Sequence, residues 1–313
     1  MAQKVAVVIP TYDRADFLTT AIDSALAQSH PPDEIVVVDD GSTDDTASVL
    51  AHYGDRIRVV RQENAGQAAA RNRGVAEVRA DWVAFLDSDD SWEPAALQRL
   101  LGAADEFPAA GLIAMRAMAM RADGSLTRRI QGKKSPGPFF TTRSILLKDG
   151  GGILTPMVKR SLFVELGGFD ATLRSAEDVD LWLRLSFRTT LVGVPDALLL
   201  RRVHDTNLSS DRVVDARSWL LILDKLAREH PEFVRDNPWP FRRALGKEKL
   251  RLGRELLATS GGAPSRLAEA RAALRGSIAT FPFFGRAWIY LFWSLVAPGT
   301  YAAFRRYERR AKG

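Results

Sequence analysis

Short apolar runs and stretches of helical period take turns along the first third of the chain. Residues 5–9 are continuously apolar, the pattern of a strand buried on both faces. Phe17, Leu18, Ala21, Ile22, Ala25 and Leu26 then recur at the three- and four-residue steps of one helix face. The same alternation predicts a strand at 34–38, a helix from about 43, a strand at 57–60, a helix at 67–78, a strand at 82–86 and a helix near 94–107. Strands joined by single helices make an α/β fold, a mostly parallel sheet flanked by helices. Ligands of such sheets bind outside the carboxyl ends of the strands.

The pattern loosens after residue 108. A strand at 109–120 and a turn at 122–125 lead into 132–152, rich in Gly, Lys and Pro, which reads as a mobile segment able to act as a lid. A strand at 153–158, a short helix at 161–166 stopped by Gly167-Gly168, a helix at 178–187 and strands at 190–194 and 198–203 close the first domain. Beyond Asp211 the period is helical, near 212–230, 240–259 and 264–280, before an aromatic segment at 288–293. The expected division is a ligand-binding α/β domain over 1–210 and a C-terminal α-helical extension over 211–313.

With 313 residues, 46% of them hydrophobic, the chain has the material for a substantial core. It has no cysteine, which excludes a disulfide framework and a thiolate zinc site, and its first apolar run is too short for a signal peptide. A cytoplasmic location is the expectation. The net charge of +6 hides a division: residues 241–313 hold 15 Lys/Arg against 4 Asp/Glu, whereas residues 1–240 hold 29 against 34. An acidic body and a basic tail point to different partners, and no nucleic-acid partner is expected.

Candidate chemistry gathers where strands end. Asp87, Asp89 and Asp90 follow the apolar run 81–86, and three carboxylates there repel one another and are costly to desolvate unless a cation sits among them. Hard divalent ions take oxygen ligands and share one or two carboxylates with nucleotide phosphates, so the run points to a metal–phosphate site. Asp39 and Asp40 end another strand, where a carboxylate can accept hydrogen bonds from a nucleobase or ribose; Ser42 with Asp45 reads as a helix-capping pattern. Gly66 leads a helix start followed by Arg71 and Arg73, a setting that suits an anion, with Arg71 able to reach a phosphate bidentately. Glu177, Asp178 and Asp180 open a helix whose dipole alone favours acids. His204 is one of four histidines.

Taken together these residues resemble glycosyltransferase family 2, enzymes of the GT-A fold that use nucleotide sugars and invert the anomeric centre. Val7-Val-Ile-Pro-Thr-Tyr-Asp13, Val37-Val-Asp-Asp-Gly-Ser-Thr-Asp44, Gly66-Gln67 with Ala70-Arg-Asn-Arg-Gly74, and Phe85-Leu-Asp-Ser-Asp-Asp90 stand in the family's order and spacing. Gly167-Gly-Phe-Asp170, Ala176-Glu-Asp-Val-Asp-Leu181 and Arg202-Val-His204 complete the likeness, which runs from about Val5 to Ser210. The resemblance implies that Pro10, Tyr12 and Asp13 border the nucleotide, that Asp40 bonds the base and that Arg71 lies near the nucleotide. It places Asp87 and Ser88 on the ribose side and Asp89, with Asp87, on a Mn²⁺ or Mg²⁺ ion bridging the diphosphate, with His204 approaching the metal or pyrophosphate. Asp178 becomes the general base for the acceptor hydroxyl, and Glu177 orients base or acceptor. Asp13 stands where the family often has Asn, which reduces hydrogen-bond donation to a nucleotide.

The expected partners are a nucleotide diphosphate sugar, a UDP-sugar first, and a glycan or lipid-linked acceptor of cell-envelope or exopolysaccharide assembly. Residues 287–297 are apolar and aromatic, and the chain then carries Arg305, Arg306, Arg309, Arg310 and Lys312. Eleven residues are too few to cross a hydrocarbon core, which takes about 20 in a helix. Trp288, Tyr290, Trp293 and Tyr301 fit a helix lying on the cytoplasmic face of the inner membrane, and a helical subdomain or dimer contact is the competing reading. Two further classes fit an acidic α/β site: a sugar-phosphate nucleotidyltransferase, for which the N-terminal region lacks a glycine-rich, lysine-bearing phosphate loop, and a noncatalytic nucleotide-sugar-binding module.

Overall fold

β1 (Val5–Thr11) feeds two cores. Val5, Val7 and Ile9 enter a hydrophobic cluster on one face of the sheet, and Ala6 and Val8 enter a second cluster on the other. The first is roofed by α1 (Ala15–Leu26) and α4 (Ala96–Glu106), the second by α3 (Gln67–Glu77) and α7 (Glu177–Ser186). Gly74 lets α3 lie close on β1, because a Cβ there would come within 2.3 Å of Val8 Cγ1.

The computed structural model describes residues 3–121, 123–132, 139–148, 153–203, 211–261 and 263–301. They fall into two compact units, Met1–Thr172 with Glu177–Asp205, and Leu173–Ala176 with Thr206–Gly313. The first unit adds to β1 the strands β2 (Glu34–Asp39), β3 (Arg58–Arg61), β4 (Trp82–Phe85), β5 (Ser91–Trp92), β6 (Ala110–Arg121), β7 (Leu126–Gln131), β8 (Phe139–Phe140), β9 (Leu154–Lys159) and β10 (Thr190–Val203). They form one sheet in the order β3-β2-β1-β4-β9-β6-β10-β5, with β7 beside β6 and β8 beside β10.

The parallel arrangement expected from strand–helix alternation holds for β3-β2-β1-β4. Beyond β4 the sheet is mixed: β9 runs antiparallel to both β4 and β6, and β10 returns parallel to β6. The strands expected at 190–194 and 198–203 are one strand, β10, whose register against β6 slips around Pro195; a β-bulge absorbs the proline without ending the pairing. β7 pairs back on β6 through the expected turn, with Gly124 at φ 85. Within the segment read as a lid, β8 and α5 (Thr142–Leu147) are regular, and Thr141 and Ser144 form a capping box at the helix start; residues 133–138 and 149–152 lie outside the described ones.

α2 (Thr46–Ala51) begins later than the capping pattern predicted, because Ser42 is spent elsewhere: its Oγ accepts the Asp13 N–H at 3.0 Å, and Asp44 takes the Thr46 N–H. α6 (Arg160–Glu165) ends as expected before Gly167 and Gly168, both in the left-handed region. The second unit contains α8 (Arg212–Glu229), α9 (Pro231–Asp236), α10 (Pro238–Thr259), α11 (Pro264–Thr280) and α12 (Gly285–Val296), around a core that includes Ala216, Leu256, Leu257, Ala270 and Tyr301. Among the described residues, no helix is long and apolar enough to cross a membrane.

Candidate active site

β1, β2 and β4 are parallel, so their carboxyl ends deliver Tyr12-Asp13, Asp40 and Asp87–Asp90 to one edge of the sheet. A chain of hydrogen bonds then ties that edge together. Asp40, buried, accepts Gln62 Nε2 (2.7 Å) and Ala65 N–H (2.9 Å) on one oxygen and Gly66 N–H (2.8 Å) on the other, which fixes the entry of α3. Gln67, the first residue of α3, donates to Asp87 Oδ1 at 3.0 Å. One turn on, Arg71 donates through Nη2 to the same Asp87 oxygen (2.6 Å) and through Nη1 to Glu177 Oε1 (2.9 Å).

Arg71 is therefore a bridge between the acidic strand end and the acidic helix start. It is 9% exposed and stacks over the Phe169 ring, its cation 5.4 Å from the centroid. Both Nη atoms are engaged by carboxylates, so the residue does not project as the free phosphate fork that its sequence context suggested. Burial works against its charge, but Asp87 and then Glu177 more than offset that, and the guanidinium is held above its ordinary pKa.

Asp87, Asp89 and Asp90 bring one carboxylate oxygen each to within 4.8 Å of one another. Asp90 is the buried member; burial first, then Asp87 and Asp89, push its carboxyl well above the usual carboxylate range, although Arg202 N–H donates to it at 2.8 Å. Three clustered carboxylates, a set of hard oxygen donors, fit a divalent cation of the Mg²⁺ or Mn²⁺ type. Ser88, named for the nucleotide, is buried between these acids. His204 lies outside the described residues; Asp90 is the third member of the acidic group with Asp87 and Asp89.

At the start of α7 the three acids separate by role. Asp180 is buried and paired with Arg184, whose remaining donors reach the carbonyls of Leu166 and Gly168, so it braces the preceding loop. Glu177 holds Arg71. Asp178 accepts the N–H of Val179 (2.7 Å), and burial first, then Glu177, raise its carboxyl to about 6 while Arg71 pulls the other way. A carboxyl poised near neutrality beside a cleft is suited to taking a proton. The loop behind it is fixed by Asn72, which donates to Phe169 O (2.8 Å) and accepts Phe169 N–H (2.9 Å).

An open cleft of about 550 Å³, counting its mouth, runs between these groups and is lined by Arg71, Asp87, Asp90, Asp178, Trp182 and Arg201, among others. Trp182, one helical turn after Asp178, places in its wall a buried indole N–H that has no hydrogen-bond partner among the described residues. Tyr12, Asp13, Asp40 and Ser88 do not line it. Tyr12 is 45% exposed at the sheet edge, whereas Asp13, strained at φ 47, turns its carboxylate onto Thr43 N–H (2.7 Å) and locks the first loop to the second. Pro10 is an internal residue of β1 paired with Val38.

The acids are visible in the sequence, whereas their connections through Gln67 and Arg71 are not. Gln67, Asn72, Trp182 and Arg201 were missed as site residues, and the available signal was their position within or beside the matched motifs.

A sequence profile described as Glycosyl transferase family 2 matches residues 6–165. A Bacillus subtilis protein named "Putative teichuronic acid biosynthesis glycosyltransferase TuaG" is 31% identical over 233 residues, 72% of this chain and 89% of that one. An uncharacterized glycosyltransferase of Rickettsia typhi is 27% identical over 248 residues, 76% of this chain and 77% of the relative. Among solved structures, S. aureus TarS 1–349 in complex with UDP-GlcNAc superposes with a TM-score of 0.65 at 19% identity, over 97% of this chain and 92% of that one. The mannosyltransferase PcManGT of Pyrobaculum calidifontis, in complex with GDP-Man and Mn²⁺, gives 0.58 at 20% identity over 97% and 87%. At these identities the structural likeness establishes the fold, the GT-A architecture.

Proposed function

The chain belongs to glycosyl transferase family 2, and we propose that it is a cation-dependent, inverting glycosyltransferase that moves a sugar from a nucleotide diphosphate donor, a UDP-sugar first, to an acceptor hydroxyl. The observation that carries this reading is the Arg71 bridge, which ties Asp87 at the acidic strand end to Glu177 next to Asp178, with Arg71, Asp87, Asp90 and Asp178 lining one cleft. The complexes of TarS with UDP-GlcNAc and of PcManGT with GDP-Man and Mn²⁺ support a nucleotide-sugar donor and a divalent ion.

Asp87 and Asp89, with Asp90 behind them, would hold the cation, with His204 retained from the sequence reading as a further ligand. When bound, the cation supplies positive charge against the departing diphosphate. Asp178 takes the proton of the acceptor hydroxyl as it attacks the anomeric carbon from the face opposite the leaving group. The direct displacement inverts that carbon. Glu177 and Arg71 hold Asp178 and Asp87 in register, and Tyr12, Asp13, Asp40 and Ser88 shape the nucleotide side. In this reading residues 1–210 would serve donor binding and catalysis and 211–313 would form the helical extension.

The proposed acceptor is a glycan, in particular a lipid-linked one of cell-envelope or exopolysaccharide assembly, handled on the cytoplasmic face of the inner membrane. TuaG, by its name a teichuronic acid enzyme, supports an envelope polysaccharide. A panel of nucleotide sugars with Mn²⁺ and glycan acceptors, read by nucleoside diphosphate release and the anomeric proton signal of the product, tests the proposal. Release in the wild type, an inverted product, and a loss of roughly 10²–10⁴-fold in Asp178→Asn support it. A retained anomeric configuration, or full turnover by Asp178→Asn, contradicts it.

A further inference from the structure

α12 carries a surface that neither catalysis nor its own core uses. Trp288, Ile289, Phe292, Leu295 and Val296 are 53%, 57%, 67%, 58% and 66% exposed. At about 100° per residue the five fall within a sector of roughly 120°, one continuous outward stripe. Phe283, just before the helix, is 82% exposed. The opposite side fastens the helix to its own unit: Ala287 and Ser294 are buried, Tyr290 and Trp293 meet Tyr301 edge-on, and Arg271 donates to Ser294 O at 2.5 Å.

We propose that the outer face of α12 seats on an anionic lipid surface. Its polar groups are prepared for low dielectric: Trp288 Nε1 donates to Pro282 O (3.1 Å) and Trp293 Nε1 to Thr300 Oγ1 (2.9 Å), so neither indole needs water. Twelve helical residues reach about 18 Å, well short of the roughly 30 Å hydrocarbon core, so the helix lies in the interface rather than crossing it. Charge selects the lipid. From residue 270 to residue 307 the sequence has no Asp or Glu but has Arg271, Arg275, Arg286, Arg305 and Arg306, followed by Arg309, Arg310 and Lys312. Of these, Arg275 and Arg286 are exposed among the described residues, and a basic segment free of acids is attracted to anionic headgroups. The inference rests on the second unit alone and stands or falls apart from the proposed chemistry.

The test is co-sedimentation of the full chain with phosphatidylcholine vesicles, with and without phosphatidylglycerol, comparing wild type with a Phe292→Ser/Leu295→Ser double variant. Both side chains point outward, so an unchanged unfolding temperature is the folding control. Wild type is expected to partition onto the phosphatidylglycerol vesicles, the double variant roughly a hundredfold more weakly, and brominated lipids are expected to quench wild-type tryptophan fluorescence. Wild type that stays in the supernatant with both vesicle types overturns the proposal. So does equal binding by the double variant, or vesicle-independent dimerisation that the double variant abolishes.

Discussion

Asp178→Asn should make the protein inactive and more stable at the same time, with a pH dependence that identifies the cause. The carboxyl of Asp178 is raised from 3.8 to about 6, chiefly by burial and then by Glu177. A carboxyl with a folded pKa above its unfolded one binds protons more tightly in the native state, so native stability falls as pH rises through the window from about 4 to about 6. About two pKa units at 1.36 kcal/mol each set an upper bound of about 3 kcal/mol, which the partial solvent access of the cleft reduces. Asn keeps the shape and can still accept the Val179 N–H. In EDTA at pH 7.5 the variant should melt some 2–6 °C above wild type. At pH 4, where wild-type Asp178 is largely protonated, the two should melt together. A variant that is less stable at pH 7.5, or a difference that does not shrink at low pH, refutes the assignment of Asp178 as a strained, poised carboxyl.

Arg71→Lys keeps one charge but cannot reach Asp87 and Glu177 with two fixed N–H groups; kcat/KM should fall at least about tenfold, and full activity counts against the bridge. Arg71→Met removes the ion pair of both acids, leaving Asp87 the Gln67 amide, and should lower stability by about 3 kcal/mol in a urea titration. The acidic limb of kcat/KM should drop about tenfold per pH unit below the Asp178 pKa, and Glu177→Gln, by removing a like charge, should move that limb to lower pH; a limb that stays in place separates Glu177 from the base. Gly168→Ala adds a Cβ 2.5 Å from Asn72 Oδ1 at φ +71 and should lower the melting temperature and activity together by disturbing the loop behind Asp178.

Local order was legible where the hydrophobic period is governed by neighbours a few residues away. β1, α1, β2, α3 and α4 fall within a few residues of their predicted bounds because each buries a face whose spacing is written in its own segment. The departures arise from distant partners: β10 continues through Pro195 because β6 offers it a long parallel edge, and α2 starts late because Asp13, 29 residues before Ser42, claims that hydroxyl. In the site, the sequence displayed every carboxylate but not its occupation. Asp180 and Asp178 are alike in one dimension; only packing shows that Arg184 neutralises one and that the other faces the cleft. Arg71 likewise reads as an anion binder until Asp87 and Glu177, 16 and 106 residues away, are seen to take its two Nη atoms.

A cation held by Asp87, Asp89 and Asp90 would join an activated sugar to the protein, and thermal unfolding reads that linkage directly. With nucleotide diphosphate at about 100 times its Kd, binding adds about 2.7 kcal/mol of stability. UDP with Mn²⁺ should therefore raise the melting temperature of wild type by several degrees, far more than either ligand alone, and Asp89→Asn should lose the increment. If no nucleoside diphosphate shifts the wild-type transition in the presence of Mn²⁺, or if the shift persists undiminished in EDTA and in Asp89→Asn, the central claim is contradicted.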